Sequence, residues 1–132
     1  MGAEGLNLGG AGKVVAYVYV ADRERALGFY RDLLGLAVHS EDQYGDHLTL
    51  PGGFLRVTVI PDFKPHEHPV FGFEVADIVE AARALNDRGV VFDIFEGMGQ
   101  DALGVWTSPD GASKIAFFKD VDGNTLTLSE GS

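Results

Sequence analysis

Val18 to Leu36 reads VYVADRERALGFYRDLLGL, and Phe73 to Leu85 reads FEVADIVEAARAL; these two stretches decide the fold because they carry one pattern twice. In the first, Val14, Ala16, Val18 and Val20 fall on one face of a strand, while Val15, Tyr17 and Tyr19 fall on the other. Asp22 is placed to cap a helix in which Ala26, Phe29, Tyr30, Leu33 and Leu34 recur at helical spacing until Gly35. In the second, Val75-Ala76-Asp77 repeats Val20-Ala21-Asp22 at an offset of 55 residues, which sets Val70 on Val15, Gly72 on Tyr17 and Glu74 on Tyr19. Asp77 caps the second helix, with Glu80 at its third position and Val79, Ala82 and Leu85 turned inward, and Gly89 ends it.

The same order of elements follows each helix. Extended stretches are expected near residues 36–44, 46–51 and 54–61, with turns at Gly45-Asp46 and Pro51-Gly52-Gly53. In the second half the pattern predicts strands over Val90 to Phe95, Lys114 to Phe118 and Thr125 to Ser129, the last two closing a hairpin around Asp122-Gly123-Asn124. The reading is α+β: two tandem βαβββ modules, about 13–61 and 69–130, in a single domain over 13–132, preceded by a flexible, glycine-rich tail over 1–12. Val14, Ala16, Val18, Phe29, Leu33, Phe73 and Leu85 are the expected core on the helix side. The opposite sheet faces are expected to enclose a cleft, with the tyrosines of the first strand lining it.

Composition narrows the functional classes. The chain has 132 residues, 45% hydrophobic and 23% charged, an ordinary globular mix. No apolar run approaches the roughly 18 residues that a membrane span needs, and the N-terminus lacks the marks of a signal peptide, so a cytoplasmic protein with no membrane partner is expected. Twenty acidic against ten basic residues give a net charge of −10, which repels nucleic acid and suits solubility or cationic ligands. The absence of cysteine rules out disulfides, thiolate nucleophiles and zinc fingers, so any metal site must use His, Asp and Glu. No serine-histidine-acid arrangement, P-loop or dinucleotide fingerprint is present.

The candidate ligand-binding residues are Tyr17, Tyr19, His47, Arg56, Glu74 and Trp106. Tyrosine joins an apolar ring to a hydroxyl tip and so serves both stacking and orientation; lining a sheet or a dimer seam is the bland alternative. His47 has the parity opposite to Leu48 and Leu50, which aims it and Thr49 at the cleft as wall residues. Arg56 shares a strand face with Thr58, where it either pairs with Glu74 or anchors an anionic group. Glu74 holds a cation or reaches water, and Trp106, after the glycine-bearing loop 97–104, either covers a cleft or packs in the core. His66 and His68 flank Glu67 between two prolines; they form either a polar connector or a relocated metal site.

Taken with FFKDVDGNTLTL at Phe117 to Leu128, these segments resemble the vicinal oxygen chelate superfamily, which includes glyoxalase I, extradiol dioxygenases and bleomycin-resistance proteins; the resemblance spans about residues 13 to 130. It implies a glyoxalase-like fold and a homodimer, and says little about reaction, because the shared motifs are packing and turn residues. In metal-dependent relatives, His or Glu from the first and last strands of each module hold the ion. The positions so implied here are Val15, Val70, Thr127 and about Thr58, none a good ligand for a divalent metal. The resemblance therefore implies a metal-independent protein of the bleomycin-resistance type that sequesters an aromatic or cationic small molecule, with no cofactor and no catalytic residue assigned. A metal-dependent lyase, isomerase or dioxygenase with displaced ligands stays open as the alternative.

Overall fold

The computed structural model of the chain describes residues 5–131, which divide into two compact units between Pro61 and Asp62. Of the tail expected over 1–12, residues 1–4 lie outside the described residues. Leu8–Ala11 form one exposed helical turn, α1, capped by Asn7 Oδ1, which accepts from the Gly10 amide.

In the first unit, β1 (Val14–Val20) leads to α2 (Arg23–Leu27), where Asp22 accepts from the Arg25 amide as the sequence predicts. The helix then widens into a π-turn over Gly28–Leu33, with the Leu34 amide donating five residues back to Phe29. One extra residue per turn brings the adjacent Phe29 and Tyr30 inward together, their rings edge to face at 5.1 Å, and leaves Leu33 only half-buried. Gly35, at φ 83°, ends the helical segment in a conformation that costs a residue with a Cβ.

The chain returns as β2 (Val38–Asp42), β3 (Gly45–Leu50) and β4 (Gly53–Val59), giving the sheet order β1-β4-β3-β2 with β1 and β4 parallel. Val18, Val20, Leu48, Leu55 and Val57 pack on the helix side with Ala26, Phe29 and Tyr30. Burying each of the larger side chains contributes about 1.5–3 kcal/mol of transfer free energy. Val14 departs from the expected core: at the start of β1, opposite Gly53, it is 72% exposed, and Ala16 is half-buried. The first turn also differs. It falls at Gln43-Tyr44, closed by Asp42 Oδ1 accepting from the Tyr44 and Gly45 amides, so Gly45 and Asp46 belong to β3. Asp46, fully buried there, takes both arms of the Arg23 fork at 2.8 and 3.0 Å, and this bond holds the guanidinium even more firmly protonated than usual.

The second unit repeats the plan with β5 (Pro69–Glu74), α3 (Ile78–Asp87), β6 (Trp106–Thr107), β7 (Lys114–Lys119) and β8 (Thr125–Glu130), ordered β5-β8-β7-β6 with β5 and β8 parallel. Asp77 caps α3 through the Glu80 amide, and Gly89 lies at φ 94° past its end. Ile78 and Ala82 are the buried residues of α3, whereas Val79, Leu85 and Phe73 are half-buried. Seating Ile78 is helped by Glu130, whose Oε1 accepts from its amide.

No strand forms over Val90 to Phe95. Val90 and Phe92 enter the core, Phe92 against Phe118 at 5.4 Å, but only one backbone bond, Asp93 N to Phe117 O, ties the segment to β7. The chain then loops out and rejoins β7 at Trp106, so one sheet edge is filled by two short pieces. The final hairpin turns as expected around Asp122-Gly123-Asn124, locked by Asp120: its Oδ1 accepts from the Asp122 and Asn124 amides and its Oδ2 from the Asn124 side chain. Among the described residues, no helix is long and apolar enough to cross a membrane.

Candidate binding faces of the two sheets

Register partners share a sheet face, so the surface opposite each helix can be read row by row. In the first sheet the rows are Val15–Phe54–Thr49, Tyr17–Arg56–His47–Ser40 and Tyr19–Thr58–Gly45–Asp42. Tyr17 is 60% and Tyr19 47% exposed, as their parity in β1 requires. Between them and the hairpin lies Arg56, only 9% exposed. Its Nη2 donates to Asp42 Oδ1 at 2.8 Å, and its Nη1 lies 3.3 Å from His47 Nδ1. Within its own module, the carboxylate partner of Arg56 is Asp42. The Arg56 bond, followed by the Tyr44 amide, holds the Asp42 carboxyl below the usual carboxylate range.

Beside this row is a pocket of about 280 Å³ lined by Val15, His39, Ser40, His47 and Phe54. His39 occupies a register shift between Val38 and Ser40, and this bulge sets its ring 4.8 Å from Phe54; His47 meets the same ring edge-on at 6.4 Å, and Lys13 Nζ lies 5.7 Å from its centroid. His39, Phe54 and Asp42 were missed as members of this surface. Asp42 was within reach of sequence reasoning, because a turn at Gln43-Tyr44 puts its parity in phase with Tyr19 and Thr58.

In the second sheet the rows are Glu74–Ser129–Ile115–Trp106 and Gly72–Thr127–Phe117. Glu74 and Trp106 therefore stand at opposite ends of one row, four strands wide, with Trp106 half-buried. Gly72 is required by a close approach: a Cβ there would overlap Thr127 Oγ1. The loop between Asp93 and Trp106 is tied at its neck by Gln100, whose amide donates to the carbonyls of Asp93 and Gly104 and accepts from the Phe95 amide. Phe95 then meets Phe117 edge to face at 5.5 Å.

The four positions that the resemblance assigns to metal ligands, Val15, Val70, Thr127 and Thr58, carry two hydroxyls and no imidazole or carboxylate. Val15 pairs with Phe54, and Val70 sits in a register shift between Pro69 and Phe71. These residues do not fit a divalent ion. His66 and His68 stack on each other at 5.5 Å, and His66 and Glu67 line a pocket of about 640 Å³ with Pro65, Phe95, Lys119 and Gly123. Among the described residues, no group of three or more His, Asp and Glu is disposed to hold a metal.

The fold recurs in solved structures. A glyoxalase/bleomycin resistance protein/dioxygenase from Alicyclobacillus acidocaldarius superposes with a TM-score of 0.69 at 18% identity, covering 90% of this chain and 90% of that one. A glyoxalase family protein from Enterococcus faecalis gives 0.67 at 21% identity, over 89% and 94%. The genomically encoded fosfomycin resistance protein FosX from Listeria monocytogenes gives 0.70 at 12% identity, over 92% and 94%. No curated protein matches the chain. Residues 12–128 match the sequence family described as the Glyoxalase/Bleomycin resistance protein/Dioxygenase superfamily, and the chain belongs to that superfamily.

Proposed function

We propose that the protein binds a small organic molecule on its open sheet faces without a metal ion. The observation that carries this reading is the exposure of Tyr17 and Tyr19, 60% and 47%, on the face of β1 that turns away from the helix. A bound ring stacked on them is worth about 0.5–1.5 kcal/mol beyond its buried area, and their hydroxyls orient polar substituents. Glu74 and Trp106, at the ends of one row in the second sheet, supply a carboxylate for a cationic group and a further aromatic surface. The net charge of −10 favours approach of such a cation. Calorimetric titration with an aromatic amidinium and its neutral amide analogue, with and without excess chelator, tests the reading. Binding that survives chelation is expected; loss of binding on chelation would overturn the metal-free reading and favour an enzyme with displaced ligands.

The assembly that goes with this reading is a twofold homodimer. Val91 and Ile94 face outward as large apolar side chains beside the interrupted edge of the second sheet, and an edge of that kind is commonly covered by a second chain. Light scattering at micromolar concentration should give about twice the 14.1 kDa chain mass, and the mass of one chain would refute it.

A further inference from the structure

The first sheet's open face holds a hydrogen-bond chain whose direction is fixed by chemistry. A guanidinium has donors only, so the contact between Arg56 Nη1 and His47 Nδ1 makes Nδ1 the acceptor and puts the ring proton on Nε2. Arg56 is itself held: Asp42 Oδ1 accepts from Nη2, and Asp42 is in turn fixed by the Tyr44 and Gly45 amides. Nε2 has no hydrogen-bond partner among the described residues. The ring lines a pocket whose other walls are Val15, Phe54, His39 and Ser40. Two of these walls are apolar, and the polar groups at the pocket, with Lys13 over the Phe54 ring, include no carboxylate. In a chain of net charge −10 this is a local collection of donors and cationic groups.

We infer that Arg56 locks His47 as its Nε2–H tautomer, making this pocket a subsite for a planar carboxylate: His47 and Ser40 donate to the carboxylate oxygens, and Phe54 packs on the attached ring. Arg56 acts here as a positioning residue, and His47 touches the ligand. The inference rests on the proposal that the open face binds small molecules, and it names the class of group that the first module takes.

The test is long-range 1H–15N correlation of the imidazoles at mildly alkaline pH, where a free histidine is neutral and its tautomer is visible. The unliganded protein should show His47 with Nε2 protonated; an Nδ1–H tautomer would overturn the inference. Benzoate is the probe, with benzylammonium as a control of similar size. Benzoate should shift the His47 and His39 ring signals saturably, and benzylammonium should leave them in place. Arg56→Met should mix the His47 tautomers and weaken benzoate about tenfold, which is about 1.4 kcal/mol. If that variant does not fold, Asp42→Ala, at a half-exposed position, removes the oxygen that anchors Arg56 and should loosen the same tautomer preference. Shifts at Tyr17 and Tyr19 with either probe, and none at His47, would sink the carboxylate subsite while sparing the tyrosine-face reading. Shifts at His47 with none at the tyrosines would uphold the subsite and overturn the tyrosines' role. A protein whose ring signals move with neither probe contradicts both.

Discussion

The two modules use one device, an aspartate closing a hairpin turn, to opposite ends. In the second, Asp120 and Asn124 are both buried, and all the bonds just described run within the turn between β7 and β8. In the first, Asp42 closes the turn between β2 and β3 from a half-exposed position through two backbone amides and extends a third bond across the sheet to Arg56. Burial makes the former a structural lock, since an unpaired polar group inside protein costs more than a hydrogen bond returns. Exposure makes the latter the weaker lock, while its bond to the buried Arg56 decides what the open face presents. The two sheets are therefore alike in topology and different in surface: a buried cation between tyrosines and histidines in one, and a carboxylate and a tryptophan at the ends of a row in the other.

The contrast is sharpest in a pair of aspartate variants. Asp120→Ala strips the acceptor from two backbone amides and the Asn124 side chain, and should cost about 1–3 kcal/mol in denaturant unfolding, whereas Asp42→Ala should cost less, because water reaches the turn amides it leaves, but more than nothing, because the buried Arg56 loses its carboxylate. Equal losses would show that the turns are alike and remove the distinction. Next in size is the contribution of the aromatic face: Tyr17→Ala or Tyr19→Ala should weaken an aromatic ligand several-fold, while Thr127→Ala, beside Gly72, should leave binding in place, as titration calorimetry can compare directly. Glu74→Gln should weaken a cationic ligand and spare its neutral analogue, with the gap narrowing as salt rises.

The smallest effect is in acid. The Arg56 bond lowers the Asp42 carboxyl, and the Ser108 hydroxyl and the Ala112 amide lower that of Asp110. A carboxyl depressed on folding adds stability that is complete above its unfolded value, near 3.9, and is lost as pH falls through the folded one. Melting temperature should therefore fall more gently below about pH 4 in Asp42→Asn than in the parent chain, and identical acid profiles would deny Arg56 its hold on that carboxylate.

Much of this fold is legible in the sequence because local signals agree: Asp22 and Asp77 cap, Gly35 and Gly89 stop, and alternation in β1 separates Tyr17 and Tyr19 from Val18 and Val20. Two features are not legible, for different reasons. The π-turn at Gly28–Leu33 shifts the helix phase by one residue, and no side chain in GFYRDL announces that shift. The run VVFDIF at 90–95 has the composition of a strand, yet pairing depends on a partner edge, and only Asp93 finds one. At the candidate site, the parity of Tyr17, His47 and Arg56 was readable, whereas the bond from Arg56 to Asp42 depended on a turn placed two residues earlier than Gly45-Asp46.

Gln100 has a consequence for how this protein can change. By satisfying the Asp93 and Gly104 carbonyls and the Phe95 amide from one side chain, it seals the neck of the loop independently of what lies beyond. Glu96 and Met98 at the tip supply none of these bonds, so substitution at either, or lengthening of the tip, leaves the junction with β7 intact, whereas Gly97 and Gly99, at φ 81° and 78°, disfavour a side chain. The neck is thus a fixed frame and the tip a replaceable insert, a place where new specificity can be tried beside Phe95 and Phe117 at little cost to folding.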